Sequence, residues 1–245
     1  MRTLAPLLLA CALASPLPAA AQSLGRRPFD IPGSRLTDGS MVQAASVRRP
    51  PAKKQKIGIR AYGLAEVENL RATRSFEAVL GTARLTDLGA GADVVNLWKG
   101  AFARFAVGYT KKTGTRVFVD SSQKVFPQNV PLTVKMTPLE VCGGWRFAAL
   151  DRKGRFVPYL GAGGLLLRYQ ETSTFALTGE DIDSRFKGGV AFGGLEVAVV
   201  KFVNVAIEGL YRHVPKALGA GGVSSTFSEN NLGGGVVRFR FGVGF

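Results

Sequence analysis

The stretch Gly233-Gly-Gly-Val-Val-Arg-Phe-Arg-Phe-Gly-Val-Gly-Phe245 at the end of the chain decides the fold. In a β-strand, alternate side chains point to opposite faces. One set of alternate positions in this stretch is wholly apolar: Val237, Phe239, Phe241, Val243 and Phe245. The other set carries Arg238 and Arg240 together with glycines. The stretch therefore predicts a strand with one apolar face and one charged face.

The start of the chain is predicted to be a secretory signal peptide, residues 1–21. A basic start is followed by an apolar stretch from Leu4 to Ala14, and Ala19-Ala20-Ala21 supplies a cleavage site near Ala21. A membrane-anchor helix is disfavoured because the apolar stretch is too short to span a bilayer. A lipoprotein signal ending at Cys11 is a second alternative. Either signal implies that the protein is exported.

The segment that follows is strongly basic. The chain has a formal net charge of +15, and eight of its Lys and Arg residues lie between Gln22 and Lys56. Pro50-Pro51 and the lack of periodicity predict a flexible basic leader over 22–55. The leader has two interpretations, a contact with anionic lipid headgroups or peptidoglycan, and a solvated linker. A basic chain can also bind nucleic acid, but export argues against a nucleic-acid partner.

Residues 56–245 alternate between strand-like segments and turns. Strands are expected at about 57–66, 85–98, from 101, 132–149, 155–170, 185–199, 202–214 and from 231. Three short turns, at Lys99-Gly100, Asp151–Gly154 and Lys201, and four long loops connect them. The long loops all fall on one side. No uncharged apolar run after the signal is long enough for a membrane helix. The pattern predicts an all-β fold, an eight-stranded antiparallel up-and-down transmembrane β-barrel.

Four segments resemble the OmpA/OmpX-like outer-membrane β-barrel domain superfamily. They are Val157-Pro158-Tyr159-Leu160-Gly161-Ala162-Gly163-Gly164, Gly193-Gly194-Leu195-Glu196-Val197, Ile207-Glu208-Gly209-Leu210-Tyr211-Arg212 and Arg238-Phe239-Arg240-Phe241. The resemblance covers about 56–245 and implies a location in the bacterial outer membrane, with the short turns on the periplasmic side. It also implies that the barrel-assembly machinery reads the terminal apolar positions from Val237 to Phe245. It does not fix an activity, because the superfamily includes structural, adhesive, lipid-modifying and small-channel members.

Charged residues recur at the strand positions that alternate with the apolar face. These predicted lumen residues are Arg60, Asp93, Arg104, Glu140, Arg146, Arg168, Glu208, Arg212, Arg238 and Arg240. Glu140, Glu196 and Glu208 would each be shared among several arginines. One interpretation is an ion-pair plug, and the other is a narrow, anion-favouring passive channel. The plug is favoured because an eight-stranded barrel has room only for its own side chains. A structural or envelope-integrity role, or binding through the loops, is therefore predicted.

Membrane contacts are expected from aromatic and basic residues. An aromatic girdle is predicted at the two bilayer interfaces, consisting of Trp98, Trp145, Tyr159, Tyr169 and Tyr211. Four cations in the second long loop could contact lipopolysaccharide phosphates or simply keep the loop soluble: Lys111, Lys112, Arg116 and Lys124. A soluble lipocalin-like barrel would also have eight strands, but it would turn its apolar face inward.

No catalytic, cofactor or metal site is predicted. An enzyme acting on lipid A would need a histidine with a serine and an acid. His213 is the only histidine, with Ser224, Ser225 and Glu229 in the next loop. Lipid A deacylases carry a His-x-Ser pattern, and Pro215 stands at that serine position. Once Cys11 leaves with the signal peptide, Cys142 has neither a second cysteine nor a nearby histidine for metal binding, so it is expected to be a packed lumen thiol.

Overall fold

The computed structural model describes residues 57–147, 155–173, 181–200, 202–219 and 222–244. The predicted signal peptide and basic leader lie outside the described residues, as does Phe245. The two predicted turns at Asp151–Gly154 and at Lys201 lie outside them as well. Those predictions therefore stay predictions.

Eight antiparallel strands form a closed barrel in which every strand pairs with its neighbours in sequence, and the last strand pairs with the first. The strands are β1 (Gly58–Leu70), β2 (Arg84–Val95), β3 (Ala101–Val119), β4 (Val125–Arg146), β5 (Phe156–Ser173), β6 (Ile182–Val200), β7 (Val203–His213) and β8 (Gly234–Gly244). Leu64 of β1 faces Arg240 of β8 where the barrel closes. The predicted eight-stranded up-and-down barrel is confirmed.

Two helices lie at the long-loop end of the barrel. Helix α1 (Thr73–Leu80) follows β1, and the short α2 (Gly222–Thr226) lies between β7 and β8. Neither helix was predicted. None of the helices in the described part of the chain is long and apolar enough to span a membrane.

The predicted tight turn at Lys99-Gly100 joins β2 to β3. The Ala101 amide donates to the Trp98 carbonyl at 2.8 Å. Gly100 has φ +101°, and a Cβ there would lie 2.6 Å from the Arg146 carbonyl oxygen. Only glycine fits this combination of backbone angle and close approach. The predicted second strand extended to Trp98, but the strand ends at Val95.

The second predicted long loop is instead a hairpin of two extended strands. β3 and β4 continue to pair from Lys111↔Lys135 to Val119↔Val125, with a register shift between Thr115 and Val117. Asp120 closes the hairpin by accepting hydrogen bonds from the Ser122 hydroxyl at 2.7 Å and the Lys124 amide at 2.8 Å. The polar residues between the third and fourth strands had indicated a loop. A strand surrounded by water needs no apolar face, so polarity was a poor guide here.

Gly193-Gly194, a pair of glycines that could hold a bulge, is regular in β6. Leu160↔Gly193 and Tyr159↔Gly194 pair in unbroken register, and the irregularity in β6 lies between Ala198 and Val200. A Cβ at Gly194 would lie 2.7 Å from the Tyr159 hydroxyl. This glycine makes room for a side chain rather than bending the strand.

The outer wall of the barrel carries an apolar band. On β3 the outward residues are apolar or aromatic over 101–109, on β5 over 156–166 and on β8 over 235–243. Phe239 and Phe241 in this band are 55% and 58% exposed. Apolar segments of roughly 9–11 residues are long enough for tilted strands to cross a bilayer. The inward residues of the same strands are largely buried.

Candidate functional site

A cluster of buried charges fills the middle of the barrel. Among the described residues, six arginines and seven carboxylates face the interior at this level: Arg60, Arg104, Arg146, Arg212, Arg238 and Arg240, with Glu66, Glu68, Asp87, Asp93, Glu140, Glu196 and Glu208. All but Arg60 are buried. Buried charges are tolerated in proteins when they are paired and hydrogen-bonded. The contacts form three tiers.

The upper tier is organised around Arg212. Its guanidinium donates to Glu140 Oε1 at 3.0 and 2.8 Å, to Glu68 Oε2 at 2.7 Å and to Glu66 Oε2 at 2.6 Å. Arg238 donates to Glu66 Oε1 at 2.6 Å and to both Glu140 oxygens at 2.9 and 2.8 Å. Two guanidinium groups thus hold three carboxylates from β1 and β4.

The middle tier is organised around Arg104 and Arg240. Arg104 donates to Asp93 Oδ1 at 2.9 Å and to Glu208 Oε1 at 2.6 Å. Arg240 donates to Asp93 Oδ2 and to the Tyr159 hydroxyl, both at 2.9 Å, and that hydroxyl donates to Glu208 at 2.7 Å. The Arg104 guanidinium also lies 4.5 Å from the ring centroid of a phenylalanine on β6, Phe192. Aromatic faces therefore fill the space that the ion pairs leave.

The lower tier contains one carboxylate between two arginines. Glu196 Oε1 accepts hydrogen bonds from Arg60 and from Arg146, the latter at 2.6 Å. The side chain of Arg60 is 23% exposed and lies nearest the short-turn end. The three tiers together join all eight strands through side-chain contacts: β5 contributes Tyr159, and the other seven strands contribute charged residues.

The structure places nine of the ten predicted lumen residues inside the barrel. Arg168 is the exception, and its predicted position is wrong. It lies on the outer face of β5 and pairs with Asp183 at 2.6 Å. The predicted girdle positions of Tyr159 and Tyr169 are wrong too, since both tyrosines point inward and are buried.

These three errors have one cause. β5 contains Leu165-Leu166-Leu167, so both of its faces are apolar and alternation does not reveal which one points outward. Tyr159 enters the interior because its hydroxyl has partners there, and Tyr169 packs in an apolar interior layer above the charges. The other three girdle residues, Trp98, Trp145 and Tyr211, lie on the outside. The two tryptophan rings meet edge to face with centroids 5.6 Å apart.

Three interior carboxylates were not among the predicted lumen residues: Glu66, Glu68 and Asp87. The predicted first strand stopped at Glu66, whereas β1 extends to Leu70. Glu66 and Glu68 share the phase of Tyr62 and Leu64. Glu66 was already the last residue of the predicted strand, and a longer strand would have revealed Glu68. Asp87 lies opposite Glu66 in the β1–β2 ladder. Its carboxylate is 3.6 Å from Arg212.

An apolar layer closes the barrel at the long-loop end. Helix α1 inserts Phe76 and Leu80 among inward residues of β4 and β5, including Met136 and Leu167. A Cβ at Gly114 of β3 would lie 2.1 Å from a carbonyl oxygen of α1, which shows how closely the helix approaches the wall. An apolar layer therefore covers the charged tiers, which are themselves packed.

Glu229 fixes the start of helix α1. Its carboxylate accepts hydrogen bonds from the amides of Arg74 at 3.0 Å and Ser75 at 2.9 Å. These amides lack partners within the helix, and a negative charge at a helix N-terminus is stabilising. Glu229 was considered above as the acid of a catalytic group, but its contacts are with α1.

His213 is exposed at the upper end of β7. Its Nδ1 lies 2.9 Å from the Asn231 amide nitrogen. Asn231 Oδ1 in turn accepts from the amides of Val214 and Gly233, both at 3.0 Å. The hydroxyl of Ser224 accepts from the Gly219 amide at 3.0 Å. These contacts hold the β7–β8 loop in place. Cys142 is buried inside the barrel, and no group of three metal-binding side chains occurs among the described residues.

Cations line the upper border of the apolar band on the outer wall. They face outward from five neighbouring strands, β2 to β6: Arg84, Lys111, Lys135, Arg168, Arg185 and Lys187. Lys111 lies directly opposite Lys135, and Arg168 lies opposite Arg185. Like charges in opposed positions destabilise a sheet. Asp183 is the acid at this border, and the hydrogen bond from Arg168 lowers its pKa. We call these six residues the cationic belt.

No protein-family model and no curated protein matches this chain. Several solved structures are similar to it, including the three that follow. Neisserial surface protein A is 18% identical, with 77% of this chain and 97% of that chain covered and a TM-score of 0.45. Ail, the attachment invasion locus protein of Yersinia pestis, in complex with the heparin analogue sucrose octasulfate, is 9% identical, with 78% and 100% covered and a TM-score of 0.47. The N-terminal β-barrel domain of Pseudomonas aeruginosa OprF is 10% identical, with 77% and 97% covered and a TM-score of 0.43.

The strand pairing of this chain itself establishes the fold that the sequence resemblance implies. Eight antiparallel strands in sequential order close through β1 and β8, with an apolar outer band and a charged interior. A soluble lipocalin-like barrel would instead have its apolar side chains inside and its charged side chains outside. The chain is a closed eight-stranded antiparallel up-and-down β-barrel.

Proposed function

We propose that the protein is an integral outer-membrane barrel with a closed lumen, which serves the envelope structurally and interacts through its long-loop end. The apolar outer band supports the membrane location. Its strand segments have the length that tilted spanning strands require, roughly 9–11 residues. Beyond the band, the outward side chains of β3, β4, β5 and β6 become polar or basic.

The packed interior is the observation that carries the structural role. A channel needs a continuous water-filled path, whereas the three charged tiers join opposite walls through bonds of 2.6 to 3.0 Å. The apolar layer under α1 covers them. The geometry thus favours the plug over the passive channel that the charge pattern also allowed.

Planar-bilayer recording tests the closed lumen. Residues 22–245 would be refolded in detergent, shown to be folded by the changed gel mobility of the unheated sample, and inserted into the bilayer. We expect no discrete conductance steps, because water and ions have no path past the tiers. Reproducible single-channel openings from inserted protein would overturn the proposal in favour of a channel.

The cationic belt is proposed to bind phosphate groups of lipopolysaccharide at the outer leaflet. Asp183 neutralises Arg168, but no carboxylate among the described residues pairs with the opposed Lys111 and Lys135, and opposed like charges are costly. A phosphate can accept hydrogen bonds from both members of a pair. The barrel-assembly machinery is the second proposed partner, through the apolar face of β8. The proposed peptidoglycan or headgroup contact involves the basic leader, outside the described residues.

Charge reversal at two belt positions separates lipid binding from folding. In the Lys135→Glu/Arg185→Glu variant, each new carboxylate faces a cation, Lys111 or Arg168, so the barrel should be at least as stable as the wild type. Binding of lipid A should nevertheless weaken by tenfold or more, as measured by native mass spectrometry in mild detergent. The control is Lys112→Glu/Lys124→Glu, with the same charge change on the hairpin. Equal lipid A retention in all three proteins would contradict the assignment.

A further inference from the structure

A cavity of about 650 Å³ lies at the long-loop end, beside the apolar layer. Its walls are the inner faces of the upper parts of β3 to β6 on one side, and α1, α2 and the segment 216–219 on the other. This volume lies within the range of small-ligand sites, roughly 300–1,000 Å³. Most of the lining side chains are apolar, including Val79, Val117, Leu132, Ile182, Phe186 and Val223. The cavity is separate from the ion-pair tiers, so its use does not depend on whether the lumen conducts.

The polar part of the lining contains two cations. Lys216 and Arg116 both border the cavity. Lys216 has φ +59°, a left-handed backbone conformation that costs less for Gly or Asn than for Lys.

The acid in the lining, Glu171, interacts with a neighbouring tyrosine and with the positive charge of Arg116. The Tyr169 hydroxyl lies 3.3 Å from Glu171 Oε2 and donates to it. Burial raises the pKa of Glu171, which weakens its opposition to an anionic ligand. Glu171 lies above the apolar band, on the inward face of β5. The charge that the cavity presents is therefore predominantly positive.

One side of the cavity is not closed by strand pairing. The described β6–β7 ladder begins at Gly189↔His213. The upper part of β6, from Ile182 to Gly188, pairs with β5 but not with β7. After His213 the chain turns into the segment that lines the opposite wall of the cavity. This side lies at the upper border of the apolar band, next to Arg185 and Lys187 of the cationic belt.

We propose that this cavity binds a single-chain amphiphile with an anionic head group, of the long-chain fatty-acid class. The alkyl chain lies among the apolar side chains of β3, β4, β6 and α2. The carboxylate meets Lys216 and Arg116, and the amphiphile enters beside the unpaired upper edge of β6. The apolar wall favours an alkyl chain, and the cations favour an anionic head group. The cavity volume of about 650 Å³ accommodates one such alkyl chain.

The binding test uses the protein in lipid nanodiscs and the fluorescent fatty acid cis-parinaric acid, titrated with direct excitation of the probe. The cavity-filled variant Ser184→Phe/Val223→Phe places two rings into the cavity from opposite walls. The control Thr113→Phe/Thr133→Phe adds the same rings on the outer face of β3 and β4. Partition of the probe into the nanodisc lipid is common to all samples and cancels in the comparison. We expect saturable binding in wild type and control, and at least tenfold weaker binding in the filled variant.

A second arm tests the head group. Lys216→Glu should weaken competition by palmitate tenfold or more, while Lys124→Glu at the hairpin tip should leave it unchanged. Hexadecanol, which has the same chain and no charge, should compete poorly with the probe in the wild type. Probe binding by the filled variant as tight as that of the wild type would overturn the site. Competition by hexadecanol as effective as that by palmitate would overturn the head-group assignment. A two-chain phospholipid retained by the wild type and lost from the filled variant would overturn the single-chain ligand.

Discussion

Replacing Arg212 by Leu should lower the free energy of unfolding by about 3–5 kcal/mol. The change leaves Glu66, Glu68 and Glu140 buried without the guanidinium that contacts all three. Arg238 cannot replace it, since its own guanidinium is already bonded to Glu66 and Glu140. Three buried carboxylates then compete for one cation. The variant is expected to refold poorly, or to unfold at a much lower urea concentration.

The matched control is Arg168→Leu, the same substitution at the arginine that was wrongly assigned to the lumen. The Arg168 side chain is 46% exposed and its partner Asp183 is 49% exposed. Exposed ion pairs contribute little, about 0–1 kcal/mol. Urea unfolding in lipid vesicles, followed by gel mobility of unheated samples, compares the two variants. Similar losses in both would contradict the tiered interior as the source of stability.

Replacing Phe239 by Arg should impair membrane insertion, with a cost of about 2–4 kcal/mol, as for a cation on the lipid face near the bilayer midplane. Phe239 lies in the middle of the apolar segment of β8 and points outward. Its neighbours on the outer face are Ile207 of β7 and Ala65 of β1. None of these side chains can solvate or neutralise a guanidinium.

The chain provides a control of equal exposure outside the band. Phe118 on the β3–β4 hairpin is 57% exposed, against 55% for Phe239. Because the hairpin extends beyond the apolar band, Phe118→Arg should insert and fold like the wild type. The fraction of protein that floats with lipid vesicles after refolding measures insertion for both variants. Equal insertion of Phe239→Arg and wild type would mean that this face does not contact lipid.

The sequence predicted the architecture because the terminal strands carry clear alternation. Val237, Phe239 and Phe241 point outward and Arg238 and Arg240 point inward, as the pattern of β8 requires. The charged interior was predictable for the same reason. A charge between apolar neighbours is informative in a barrel, because the lipid-facing side excludes it.

The other features of the fold and the site could not be predicted, because alternation of apolar and polar residues gives no information about them. β5 has two apolar faces, so the phase of Tyr159, Tyr169 and Arg168 depended on partners that only the closed barrel brings together. Helix α1 is held by Glu229, which is more than 150 residues away in sequence. The upper hairpin projects from the apolar band, so most of its side chains are polar although Phe118 and Phe126 are exposed at its end. The cavity has no sequence signature, since its walls come from six separate elements.

The membrane-spanning position of the apolar band is tested most directly by cysteine accessibility along β5. Single cysteines would replace Leu160, Ala162 and Gly164 in the band, and Arg168 and Gln170 above it, in a Cys142→Ser background. The protein in lipid vesicles is treated with a membrane-impermeant maleimide. We predict that the first three positions are protected and that the last two are labelled. Rapid labelling at all five positions would contradict a barrel that spans the membrane.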